Sequence, residues 1–133
     1  YRGSGTNFWP LYFKEPEYIG TTIHVATTEV DAGNIICQIR PNIQITDTIY
    51  DINMKTLQKG VGIFISASIC YYDGLKAANQ NELNSGYKRI CKKKDLTEEA
   101  ILTMFENFNS GMIKDYLNDF QKRTNMVKLI TPI

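Results

Sequence analysis

His24 and Asp31 are the pair whose residue types and spacing can do acid–base chemistry. An imidazole serves as acid, base or orienter near neutral pH, and a neighbouring carboxylate favours its charged form and can collect a proton. His24 sits within Ile19–Thr27, a run of Ile, Thr and Val that predicts a strand, and Asp31 follows in the loop Glu29–Asn34. Loops beyond strand ends are where α/β folds bind ligands. The same two residues also read as a half-buried strand histidine and an ordinary turn aspartate before Gly33, because Asp-x-Gly is common turn chemistry. Nucleophilic and metal chemistry have less to work with. Cys37, Cys70 and Cys91 form no Cys-x-x-Cys pair, and one histidine cannot complete a zinc site with them, so no metal is expected. The thiols are expected to be small buried residues in a reducing cytosol.

Elements must position that pair. With 133 residues and 43% hydrophobic content, the chain supports one real core. Fifteen Lys and Arg against 14 Asp and Glu leave a net charge of +1, which gives no electrostatic case for nucleic acid or a membrane surface. The 22% charged and 11% aromatic fractions exclude a disordered chain. No apolar run approaches the roughly 18 residues a membrane span needs, and no basic-then-apolar leader opens the sequence. The first residue is Tyr1, not Met, so a fragment or processed product is expected.

Asn7–Phe13, with Pro10 inside an aromatic cluster, predicts a short helix, and Lys14–Tyr18 a turn. Ile35–Ile39 is a second strand, ended by Pro41. Thr48-Ile49-Tyr50-Asp51 has capping-box spacing, and Ile52, Leu57, Val61, Phe64 or Ile65, Ile69 and Tyr72 continue a helical pattern to Asp73-Gly74. Gly60 and Gly62 each cost that helix roughly 1 kcal/mol, a sign of close packing against a sheet. Its second half is apolar on more than one side, so the helix should be largely buried. Tyr87–Lys92 predicts an edge strand guarded by Lys92-Lys93-Lys94. A helix starting at Thr97 or Asp95 places Ile101, Leu102, Phe105 and Phe108 on one face, Ser110-Gly111 breaks it, and Met112–Phe120 is an amphipathic helix. Two or three strands make a poor sheet alone, so strands from elsewhere or from a second copy are expected to complete it.

Three stretches carry a resemblance: Tyr1-Arg2-Gly3-Ser4-Gly5-Thr6-Asn7-Phe8-Trp9-Pro10-Leu11, then Gly20-Thr21-Thr22-Ile23-His24, then Val30-Asp31-Ala32-Gly33-Asn34-Ile35-Ile36-Cys37-Gln38. In order and spacing they resemble the folate-dependent formyltransferases, whose pattern runs Asn-x-His, Leu-Leu-Pro, Tyr-Arg-Gly, Thr-Ile-His and Asp-x-Gly. Gln80 and the stretch from Tyr87-Lys88-Arg89 to Thr97 are similar, more loosely, to the tail of the sugar-type members. The resemblance implies an α/β fold: the C-terminal portion of a Rossmann-like formyltransferase domain, with few strands, a long helix and two C-terminal helices. Residues 1–75 would be the second half of the catalytic domain, and 76–133 an extension.

It also implies chemistry. 10-Formyltetrahydrofolate would be the formyl donor, and Asp31 the aspartate that holds the catalytic histidine charged and helps collect the proton of the attacking amine. His24 matches the second histidine, which shapes the site. The loop Thr28, Glu29, Val30, Asp31, Ala32 and Gly33 matches the segment that cups the pterin ring. The family's Asn and leading His precede the first residue here, so these 133 residues alone are expected to be inactive. The implied substrate is a small-molecule amine on a nucleotide-linked sugar, with glycinamide ribonucleotide as the second choice, in a cytoplasmic homodimer without nucleic acid or membrane partners. The rival from another class is a non-catalytic interaction module that assembles through open strand edges.

Overall fold

Residues 1–80 and 89–131 are described by a computed structural model of the chain. The elements in order are β1 (Arg2–Gly3), α1 (Trp9–Tyr12), β2 (Thr21–His24), β3 (Ile35–Ile39), α2 (Ile49–Tyr72), β4 (Ile90–Cys91), α3 (Glu98–Asn107), α4 (Ile113–Asn118) and α5 (Phe120–Met126), with short 3-10 turns at Pro16–Tyr18 and Lys93–Asp95. The chain is a mixed α/β structure with small sheets and several helices, in line with the expected α/β class.

Local chemistry explains the boundaries. At the start of α2 the Asp51 backbone N–H donates to the Thr48 hydroxyl at 3.2 Å, and the Thr48 N–H donates to the Asp51 carboxylate at 2.8 Å. Two of the first turn's four orphan donors are thereby satisfied. These bonds from Thr48 hold the Asp51 carboxyl below the usual carboxylate range. The helix ends at Asp73, followed by Gly74 at φ 105°. Thr97 caps α3 by accepting from the Ala100 N–H at 3.1 Å. Gly111, at φ 93°, interrupts the helix between α3 and α4.

β2 and β3 pair antiparallel, with Thr21 opposite Ile39, Ile23 opposite Cys37 and, after a bulge, His24 opposite Ile35. β1 and β4 pair parallel, Arg2 beside Ile90 and Gly3 beside Cys91. The main core joins Leu11, Ile19, Ile43 and Ile52 to Met104, Met112, Ile113 and Tyr116. A second cluster, Ile23, Ile36, Cys37 and Ala67, packs β2 and β3 on α2.

Several sequence expectations need correction. The first strand is Thr21–His24 rather than Ile19–Thr27, because Ile19 leaves the sheet to enter the main core. Residues 25–27 then follow the bulge out toward the Asp31 loop. The edge strand narrows to Ile90–Cys91, and Tyr87 and Lys88 lie outside the described residues. On α3 the core takes Ala100 and Met104, leaving Leu102 and Phe105 about half exposed. The last helical stretch bends at Asp119 and continues to Met126. Cys70 is exposed, whereas Cys37 and Cys91 are buried, and burial pushes both of those thiols up. The largest correction concerns α2. It buries Ile52, Thr56, Gly60 and Ala67 and leaves Leu57, Val61, Phe64, Ile65, Ile69 and Tyr72 exposed. Two strands are too narrow to cover more than one side of it. Gly60 does meet the sheet, since a Cβ there would sit 3.0 Å from the Thr21 methyl, but Gly62 meets nothing within 4 Å.

Candidate functional site

The bulge at Ile23/His24 turns the end of β2 so that His24 faces the returning loop. His24 Nε2 lies 3.9 Å from Asp31 Oδ1, an ion-pair separation longer than a hydrogen bond. The His24 side chain is 30% exposed and that of Asp31 54%. His24 Nδ1 is 3.0 Å from the Val25 carbonyl, which can only accept, so Nδ1 carries a hydrogen. Attraction to Asp31 then requires a second proton on Nε2, that is, the charged ring.

Asp31 has φ 55°, a left-handed conformation that Asp tolerates better than most residues. Its backbone is clamped from two distant parts of the chain. Asp31 O accepts from Arg2 Nη2 at 3.1 Å and from Gln80 Nε2 at 3.0 Å, and the same Gln80 nitrogen lies 2.6 Å from Gly33 O. Gln80 is buried, so these carbonyls replace its water partners. Gly33 is required by close approach: a Cβ there would sit 1.7 Å from Val25 O. The loop base is closed by Val25 N–H donating to Asn34 O at 2.9 Å, and beyond it Ile35 and Ala78 exchange backbone bonds at 2.7 and 2.8 Å.

Thr28, Glu29 and Val30 form the loop's exposed rim, with Val30 82% exposed, and Ala32 and Gly33 stand behind them. A cavity of about 390 Å³ opens elsewhere, between Thr6, Asn7, Asn53 and Met104, and the loop does not line it.

A family model described as formyl transferase matches residues 10–68. The matched stretch runs from α1 through β2, the Asp31 loop and β3 into α2. Over that stretch, less than half of the chain, the sequence is similar to the formyl transferase family. No curated protein and no solved structure matches. Arg2 and Gln80 both lie outside the matched stretch, yet they converge on its Asp31 carbonyl.

The structure places His24 3.9 Å from Asp31, with the loop Thr28–Gly33 beside them. The sequence did not reveal the clamp. Arg2 stood within the Tyr1-Arg2-Gly3 motif and Gln80 within the looser C-terminal resemblance, but nothing in their spacing says that both meet one carbonyl. No helix among the described residues is long and apolar enough to cross a membrane.

Proposed function

We propose that these residues form part of an N-formyltransferase that moves a formyl group from 10-formyltetrahydrofolate to the amine of a nucleotide-linked amino sugar. When bound, the donor would supply the formyl group, whose carbon would bond to the amine nitrogen as its bond to the folate nitrogen breaks and that nitrogen takes a proton. Asp31 takes up the proton released by the amine and holds an imidazole charged; His24 shapes the site beside it. The rim Thr28–Val30 and the backbone of Ala32 and Gly33 receive the pterin edge. What supports the reading is the 3.9 Å approach of His24 and Asp31 on a left-handed turn clamped by Arg2 and Gln80. An aspartate that only turned the chain would not need its carbonyl fixed from two directions.

The test is Asp31→Asn in the protein that joins these residues to the family's Asn-x-His segment, assayed for formyl transfer to a nucleotide-linked amino sugar. The amide keeps the shape but neither takes the proton nor favours a charged ring. Turnover should fall about 10²- to 10⁴-fold with an unchanged melting temperature. Near wild-type turnover would leave Asp31 as a turn residue. Transfer to glycinamide ribonucleotide instead would replace the sugar as acceptor.

A further inference from the structure

Asp31 and Lys14 are the residues other than glycine with a left-handed backbone among the described residues. A residue with a side chain keeps that conformation only where its surroundings hold it. The two halves of Asp31 meet different surroundings. Its side chain is half exposed beside His24, whereas its carbonyl oxygen accepts from buried Gln80.

Gln80 Nε2 stands 3.0 Å from Asp31 O and 2.6 Å from Gly33 O. The amide nitrogen has two hydrogens, one for each carbonyl. The amide oxygen could not take its place, because it would face two acceptors. Arg2 also reaches Asp31 O, in an exposed bond, whereas Gln80 ties the carbonyls on either side of Ala32 to one atom. Gln80 is itself held. Two residues earlier, Ala78 exchanges both backbone bonds with Ile35, the first residue of β3. Leu75 and Ala77 pack on the cluster of Ile23, Ile36, Cys37 and Ala67. The amide is thus anchored to the two strands between which the loop runs.

We propose that Gln80 is a positioning residue for Asp31: by fixing the carbonyls of Asp31 and Gly33, its amide locks the left-handed turn that presents the Asp31 carboxylate to His24. Relaxing Asp31 to an ordinary backbone region would carry its carbonyl away from Gln80 and leave an amide hydrogen buried and unsatisfied. The His24–Asp31 separation of 3.9 Å is already beyond hydrogen-bond reach, so a small drift of the loop ends the ion pair. Misplacement by about 1 Å costs a catalytic group on the order of 10²-fold in rate. Gln80 lies outside the matched residues 10–68, so the family likeness assigns it no part. The catalytic half of the proposal rests on the function proposed above. The geometric half, the hold of Gln80 on the Asp31–His24 pair, does not.

Two readouts keep the halves apart, both in the protein that joins these residues to the family's Asn-x-His segment. The first is a double-mutant cycle in kcat at saturating donor and acceptor. Gln80→Leu should lower kcat about 10- to 100-fold. It should change kcat less than about 3-fold where Asp31 is already replaced by Asn, because no carboxylate then remains to be positioned. A merely structural glutamine would give the same loss in both backgrounds. The second readout is the NMR signal of the His24 ring, assigned by its loss in His24→Gln. At neutral pH, Gln80→Leu should move that signal in the direction that Asp31→Asn moves it. Should Gln80→Leu fail to fold, Gln80→Met keeps the side-chain length without the donors and should give the same two results. Equal losses in both backgrounds, or a His24 ring left as in the wild type, would overturn the proposal. Wild-type turnover of Asp31→Asn would remove the function proposed above, and the His24 ring would then decide the positioning alone.

Discussion

Around Tyr116 the chain is held by apolar side chains from helices far apart in sequence, whereas around Asp31 it is held by hydrogen bonds from Arg2 and Gln80 to backbone carbonyls. Tyr116 is fully buried among Leu11, Ile19, Ile52, Met104 and Ile113. Beside that core, Arg123 pairs with Glu17 at 2.9 Å, and Arg40 Nε donates to Glu17 O at 2.8 Å. The Asp31 loop has almost no apolar burial to draw on, because Thr28, Glu29 and Val30 face solvent. A loop that must stay open to a ligand cannot be fixed by packing its rim. Fixing its carbonyls from behind leaves the carboxylate and the rim accessible. The difference teaches that order at the two places should respond to different substitutions.

The largest effect should come from the core. Tyr116→Ala should cost about 3–5 kcal/mol in denaturant unfolding, as loss of a buried aromatic does. Tyr116→Phe sharpens the reading, because the buried hydroxyl has no hydrogen-bond partner among the described residues. Removing an unsatisfied group should be neutral or slightly stabilising. A Phe variant as damaged as the Ala variant would show that the hydroxyl carries the core.

A smaller and more local effect is expected at the clamp. Gln80→Leu removes both bonds to Asp31 O and Gly33 O, each worth about 0.5–1.5 kcal/mol net. Amide hydrogen exchange should accelerate within residues 25–34 while the protection of α4 around Tyr116 stays as in the wild type. Equal acceleration at both places would erase the distinction between them.

The smallest effect lies at the start of α2, where cap chemistry and packing meet. Thr48→Ala should cost about 1 kcal/mol at neutral pH. The sign of its pH dependence follows from Asp51, whose carboxyl is held low by the Thr48 hydroxyl and then by the Thr48 N–H. A lowered folded value means stability that is present above the usual 3.8 and is lost as pH falls through the folded value. The gap between wild type and Thr48→Ala should therefore narrow in acid. A gap that stays constant from neutral pH into acid would show that the carboxylate does not take part in the cap.

Much of the fold was legible because it rests on local rules. The Thr48 cap, the Gly74 stop, the Thr97 cap and the Gly111 break each follow from one residue's donor, acceptor or backbone freedom. Ile35–Ile39 was legible as an isoleucine-rich strand ended by Pro41. The face of α3 was not, since Ala100 and Met104 are chosen by what stands opposite, with α1 and the β4 side chain Cys91 filling the space. The second half of α2 misled for a related reason. Apolar residues on more than one side predict burial only where partners exist on more than one side, and here β2 and β3 supply one.

By itself the sequence determined which residues could do chemistry and how far apart they stood along the chain: His24 within a strand, Asp31 in a small-residue loop, and the motifs around them that resemble a formyltransferase. Those are matters of side-chain type and local backbone preference, which spacing encodes. Only the tertiary structure decided that Arg2, near one end, and Gln80, well beyond α2, would close on the same carbonyl of Asp31. It also decided that Ala100 and Met104 of α3, rather than Leu102 and Phe105, would enter the core. Both are choices among distant partners, set by which surfaces the chain has available to pack and which polar groups must be satisfied once it has.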